Sequence, residues 1–310
     1  VISGRLTQRL VPEAWPETSH ELTVSGQSTE RDFFDATDAV PNSLFNGSNL
    51  ALEYQTGFPI GPVDALAGAR YQRDTGENFR FGPDQRTDLF DEDFDTRSAF
   101  VQGTIAPVET LDLTVAARVE EVEMGDTRAT WRSSGSYRLP VFGTRLRSSV
   151  GTGAKAPTIF QSFFEGPEPI FGSTLIGNPD LDVETSLGWD IGVEQRLFDD
   201  RLMFSVGYYE QRIDDLIQFQ IDFATFTSTY VNIDRVRTEG FELEAQWNPL
   251  RWVGFSANFT TTDAVDRSNG LDLARTPDAN GSLRLDLDPW NDFYIGVQAT
   301  YVGDQFNRSR

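Results

Sequence analysis

Hydrophobic and polar residues alternate with a period of two along most of this chain, the signature of half-buried β-strands. In 241–248, Phe241, Leu243, Ala245 and Trp247 share one face, and Glu242, Glu244, Gln246 and Asn248 the other. In 251–261, Val253, Phe255, Ala257 and Phe259 oppose Gly254, Ser256, Asn258 and Thr260. Leu283, Leu285 and Leu287 alternate with Ser282, Arg284, Asp286 and Asp288. Leu111, Leu113, Val115, Ala117 and Val119 alternate with Asp112, Thr114, Arg118 and Glu120, and 292–301 repeats the scheme. The pattern predicts about fourteen strands, near 2–11, 19–33, 48–58, 63–75, 94–106, 111–123, 128–139, 143–153, 184–198, 201–217, 236–248, 251–264, 275–288 and 291–305.

Each strand has one strongly apolar and one strongly polar face. Many runs reach about ten residues, near the 9–11 that a tilted strand needs to cross a bilayer. The connections alternate too. Short ones lie near 59–62, 107–110, 140–142, 199–200, 249–250 and 289–290. Long ones are expected near 34–47, 76–93, 154–183, 218–235 and 265–274; the segment 12–18 is medium and 124–127 tight. Five of the short turns carry Pro, which stops a ladder where a turn is needed. In outer-membrane barrels every second turn is short and the others grow long. Trp247, Trp252, Trp290 and Tyr294 cluster near the short turns, as an interfacial aromatic girdle would. The expected fold is therefore all-β, an antiparallel transmembrane β-barrel. The alternative is a large soluble β-protein, such as a sandwich, with ordinary core aromatics.

Composition narrows the chemistry. The chain has 310 residues, 48 Asp+Glu against 26 Lys+Arg, one His and no Cys. Without Cys there is no disulfide scaffold and no thiolate zinc site. His20 alone would have to carry any His-dependent chemistry, and it sits at a strand start, facing solvent or the membrane interface. The formal charge of -22 disfavours nucleic-acid binding through a basic surface. No apolar run approaches a membrane helix. No secretory leader pattern opens the chain, which reads as cytoplasmic, mature or partial. Adjacent carboxylates such as Asp214 and Asp215 point to opposite faces of a strand and share no site. The charge fits an acidic lumen and loops, or a saline habitat.

Five segments in series add a family signal. They are RSSVGTGAKAPTIFQ at 147–161, GNPDLDVETS at 177–186, DDRLMFSVGYYEQRIDDLIQF at 199–219, YVNIDRVRTEGFELEA at 230–245, and RTPDANGSLRL followed by YVGDQF at 301–306. In this order and spacing they resemble the C-terminal half of the barrel of TonB-dependent outer-membrane receptors, the cobalamin- and siderophore-receptor branch above all. The resemblance covers 145–306; residues 1–144 fit as generic barrel strands. Val183 stands before Glu184 where the family usually has Pro, and Asp190 lies where a Glu is common. The resemblance implies a fragment of about fourteen strands from a barrel of about 22. Residues 1–310 would then be part of the barrel domain, with the N-terminal plug domain, the first strands and the final strands outside this chain.

The same resemblance implies candidate sites. Phe160, Gln161, Phe163, Phe164 and Phe171 belong to the long 154–183 connection at the outer rim, where aromatics offer rigid contact area to a ligand or simply pack the loop. Arg237, Glu242, Glu244 and Arg284 are candidates for a charged lumen network that holds the plug, with Gly240 allowing close backbone approach. Asp88, Asp91, Glu92, Asp93 and Asp95 form the densest acidic cluster, read as a loop at 84–95, with Asp35 and Asp38 as weaker partners. Some cobalamin receptors bind calcium through Asp-rich loops, and calcium takes six to eight oxygens; a solvated acidic loop is the plainer reading, and the spacing is not an EF-hand. No other cofactor is expected. The implied function is TonB-gated import of a scarce solute such as cobalamin or a ferric siderophore, in the bacterial outer membrane. Partners would be the TonB system acting through the plug, outer-membrane lipid, and a small-molecule or metal-chelate ligand, with no nucleic acid. No enzymatic chemistry is expected, since no nucleophile has a base. An ungated passive channel of porin or fatty-acid-transporter type is the alternative; a barrel hydrolase and a soluble adhesin-like protein are further ones.

Overall fold

A computed structural model describes residues 2–12, 17–33, 43–81, 86–123, 127–140, 143–167, 174–290 and 293–306. Fourteen long strands dominate it: β1 (Ile2–Leu10), β2 (Ser19–Phe33), β3 (Ser43–Ile60), β4 (Val63–Phe81), β5 (Arg86–Val108), β6 (Leu111–Val122), β7 (Arg128–Arg138), β8 (Thr144–Lys155), β11 (Glu184–Leu197), β12 (Leu202–Asp222), β13 (Thr227–Leu250), β14 (Val253–Thr261), β17 (Ala279–Trp290) and β18 (Phe293–Val302). A short helix, α1 (Ile159–Phe163), and two strands, β9 (Glu165–Pro167) and β10 (Thr174–Ile176), lie between β8 and β11. The strands β15 (Asp263–Asp266) and β16 (Leu271–Asp272) lie between β14 and β17.

Each long strand pairs antiparallel with the next long strand in sequence, from β1–β2 through β8–β11 and β14–β17 to β17–β18. Among the described residues β1 and β18 pair on one side only. Tight turns gather at one end. At the β11–β12 turn, Asp199 and Asp200 take left-handed backbone (φ 56° and 64°), as turns that match strand twist require.

The sheet is curved, and one observation fixes its concave side. Phe45 of β3, Phe90 of β5, and Phe219 and Tyr230 of β12 and β13 pack around the same cluster with α1 residues. Strands so far apart in the sheet meet only across its inside. The register then assigns every face. Convex positions near the turn end are apolar and exposed: Leu6 opposes Val24, Val24 opposes Leu52, Val193 opposes Val206, and Val206 opposes Leu243. Concave positions are polar and hydrogen-bonded, as in Thr104–Thr114, Ser149–Asp190 and Asn258–Ser282. This is the inverse of a soluble core and suits a hydrocarbon solvent outside and water inside. Trp247 and Trp290 are exposed near the turns. Tyr294 departs from the expected girdle: its hydroxyl bonds to Arg284 and Asp286 on the concave face. His20 stacks on Tyr54 and shares a 2.7 Å hydrogen bond with its hydroxyl.

At the far end the expected long loops give way to strand. The segments read as loops at 76–93 and 218–235 are mostly ladder: β4 and β5 pair from Val63↔Ile105 to Phe81↔Arg86, and β12 and β13 from Leu202↔Trp247 to Asp222↔Thr227. β3 also begins at Ser43, inside the expected 34–47 loop. β13 has 24 residues, more than twice the 9–11 that cross a bilayer. The extra length projects beyond the membrane, and there the faces invert. On β12, Glu210, Arg212 and Asp214 take the convex face while Ile213, Ile217 and Phe219 turn inward. Water outside the membrane rewards polar convex positions, and an aromatic core forms on the concave side.

Candidate functional site

The residues that carried the family signal converge on one anchor. The described parts of the connection between β8 and β11, 156–167 and 174–183, turn inward over the concave face. At its base, Lys155 Nζ lies 3.0 and 3.1 Å from the two carboxylate oxygens of Glu184. Glu184 is 7% exposed and also accepts the backbone N–H of Ile217 at 3.0 Å. Asn178 donates to the Tyr230 carbonyl at 3.0 Å. Asn232 accepts from the Asp182 N–H at 2.9 Å and donates to the carbonyls of Asp182 and Asp215 at 3.1 and 2.6 Å. So the Ala-Lys-Ala-Pro, Gly-Asn-Pro and Val-Asn-Ile-Asp segments are three parts of one tie. A Cβ on Gly177 would meet the Ser162 carbonyl oxygen at 2.6 Å, so the strap closes on α1 only with glycine there.

Within the strap, Gln161 closes a capping box with Thr158, its side-chain oxygen accepting the Thr158 N–H at 2.9 Å. Phe160 stacks on Phe164 with ring centroids 4.5 Å apart, and Phe164 meets Phe90 edge-on. Phe163 packs against the same cluster, which is centred on Phe90, Phe164 and Leu175. Four of the five rim candidates are thus strap packing or capping, with Phe160 also facing a cavity. Phe171 lies outside the described residues.

That cavity, of about 440 Å³, sits under the strap against the concave face. Arg70, Gln72 and Asp74 of β4, Thr96 and Ser98 of β5, and Arg118 and Glu120 of β6 form its polar wall. Phe45, Phe94 and Phe160 form its apolar end. The charges are already matched. Arg70 contacts Glu53 at 3.4 Å and Gln72 at 2.7 Å; Gln72 and Asn49 donate to Asp74 at 2.7 and 2.6 Å. Arg118 Nε bonds Glu120 at 3.0 Å. Ser98 is 8% exposed, and its hydroxyl has no partner among the described residues. Sequence reasoning missed this wall, because β4–β6 read as generic strands; the signal was an Arg on the polar face of β4 and another on that of β6, Arg70 and Arg118.

The lumen candidates divide. Glu242, Glu244 and Arg284 occupy the concave face, opposite Gly207, Ser205 and Gln298. Arg284 pairs with Asp286 at 2.8 Å. Arg237 corrects the expectation: it shares the convex face with Glu239, Phe241 and Leu243, bonding Glu210 at 2.9 Å and Glu239 at 2.7 Å. Counting in twos from Phe241 places it there. Gly240 meets its expectation, since a Cβ would stand 1.8 Å from the Thr261 carbonyl oxygen.

The acidic cluster also needs correcting, since Asp88, Asp91, Glu92, Asp93 and Asp95 lie on strand β5 and not in a loop. Pairing sets Asp91, Asp93 and Asp95 on the convex face and Glu92 on the other, opposite Gly76. Asp93 pairs with Arg73, and Asp95 accepts the Tyr71 hydroxyl at 2.8 Å. Asp88 opposes Phe79 across a register shift. Side chains spread along a strand on two faces do not supply a calcium shell, and no group of three acidic or His residues forms a metal-sized cluster among the described residues. Asp35 and Asp38 lie outside the described residues.

An antiparallel meander with an apolar exposed convex face, a polar concave face and an inward strap defines the wall of an outer-membrane β-barrel. The chain belongs to the TonB dependent receptor-like, beta-barrel family, whose model matches residues 12–309. Members of this family are outer-membrane receptors and transporters and not enzymes. The chain is 24% identical over 289 residues to the vitamin B12 transporter BtuB of Vibrio vulnificus, covering 93% of this chain and 44% of that protein. A hemin receptor of Yersinia pestis is 29% identical over 126 residues, 36% of this chain and 19% of that one. The siderophore receptor PirA of Pseudomonas aeruginosa has the same fold, with a TM-score of 0.78 at 17% identity, over 97% of this chain and 55% of its own. The chain thus spans about half the length of the BtuB and PirA proteins it matches.

Proposed function

We propose that this chain is barrel wall from an outer-membrane receptor that imports a scarce solute, with the TonB system acting through a plug domain in the lumen. The observation that carries the reading is the anchored strap: Lys155, Asn178, Glu184 and Asn232 hold an aromatic segment across the lumen at the projecting end, above a lined cavity. The relatives named for vitamin B12, hemin and siderophores support a large solute, cobalamin or a ferric siderophore among them. The passive-channel alternative is less well supported, because the family model that matches residues 12–309 is that of TonB-dependent receptors.

The test uses cells expressing the full-length gene, with and without a working TonB. Uptake of labelled vitamin B12 and of ferric siderophores is expected to require TonB. Uptake that persists without TonB, together with steady conductance of the purified protein in planar bilayers, would establish the channel instead.

A further inference from the structure

The cavity under the strap carries a statement about the charge of its occupant. Its lining has two guanidiniums, Arg70 and Arg118, and two carboxylates, Asp74 and Glu120. Each guanidinium already bonds a carboxylate, Glu53 or Glu120. Arg128 lies across from Glu120 on β7, outside the lining. An anionic group entering here meets no uncompensated cation, and it approaches through the field of a chain of formal charge -22. The hydrogen-bonding capacity left over is uncharged. Ser98 presents a hydroxyl that is 92% buried and has no partner among the described residues, and Thr96 lies beside it in the wall. A buried hydroxyl without a partner is costly and marks a place where a ligand atom or water completes the bond. Phe45, Phe94 and Phe160 supply an apolar surface opposite.

We infer that this cavity seats an uncharged solute, or an uncharged part of one, that carries amide or hydroxyl groups on an apolar frame. The inference rests on the receptor reading and selects among its solutes: an amide-rich neutral molecule fits the lining, and a polyanionic ferric chelate does not.

The chain has no cysteine, so Ser98→Cys places a near-isosteric thiol in the wall. The full-length receptor carrying Ser98→Cys, or Thr96→Cys as a second position, is treated in outer membranes with uncharged, anionic and cationic methanethiosulfonates. Rates are normalised to those with a free thiol in solution, and heat-modifiable gel migration confirms folding. The uncharged reagent is expected to react about tenfold faster than the anionic one, a difference of the size one nearby charge produces in partly wet surroundings. Glu120→Gln, which leaves Arg118 uncompensated, should narrow that gap several-fold. An anionic reagent that reacts fastest overturns the inference. So does failure of every reagent at both positions, which would mean that the rest of the protein fills the cavity. Loss of TonB dependence in the uptake assay would instead remove the receptor reading beneath it, so the two failures are distinguishable.

Discussion

The two halves of strand β13 obey opposite rules. Near the turns, Leu243 and Trp247 face outward and Glu242 and Glu244 inward; farther along the same ladder, Arg237 and Glu239 face outward and Tyr230 inward. The backbone geometry is the same throughout. What changes is the solvent beyond the convex face, hydrocarbon for one half and water for the other. Amphipathicity in such a wall therefore reports position along the membrane normal as much as secondary structure.

The largest test of this contrast lies in the aromatic core of the projecting half. Phe164→Ala removes a ring that is 8% exposed and contacts Phe90 and Phe160. It should cost about 3–5 kcal/mol locally, seen as rapid hydrogen exchange across 156–183 with the lower barrel still protected. Next, Leu243→Arg in the membrane half should lose about 2–4 kcal/mol of folding stability in lipid vesicles, whereas Glu242→Arg, one residue away on the concave face, should be nearly silent. Equal losses at 242 and 243 would break the face assignment. At the boundary, Gly240→Ala should cost about 1–3 kcal/mol by overpacking against the Thr261 carbonyl, read from the urea midpoint.

The smallest effect concerns the tip between β12 and β13. The Ala224 N–H, then the Thr225 side chain, hold the Asp222 carboxyl below its ordinary range. A lowered folded value means that the contribution is present above the unfolded pKa, near 4, and is lost as pH falls through the lower folded value. Amide exchange at Ala224, corrected for its intrinsic pH dependence, should show protection fading only below about pH 4. Asp222→Asn should abolish that dependence.

Much of the wall was legible from side-chain parity. All fourteen long strands, the turn positions between them and the polar concave face follow from runs such as Phe241–Trp247 and Leu283–Leu287, where one lipid face enforces strict alternation. The ladder at 76–93 and 218–235 was not legible, because a strand in water on its convex face carries Asp91, Asp93 and Asp95 there and looks like a loop. Arg237 went to the wrong face for a related reason: charge suggested lumen, while its spacing from Phe241 placed it outside. The tie among Lys155, Asn178, Glu184 and Asn232 showed as a motif series, but its meaning needed the fold. The cavity wall was hidden because Arg70, Ser98 and Arg118 come together only through the registers of three adjacent strands.

The hydrogen-bonded ladders that rise past the membrane also bear on how fast a solute is captured. Ordering a free loop costs about 1–2 kcal/mol of backbone entropy per residue, and binding through such loops must meet that cost at each encounter. Here β4 with β5, and β12 with β13, carry their pairing nearly to their tips, so that ordering is complete before a solute arrives. In the receptor proposed above, such a mouth would capture at a rate set by diffusion and desolvation and not by loop closure, with its selectivity fixed in advance by which side chains the ladders present.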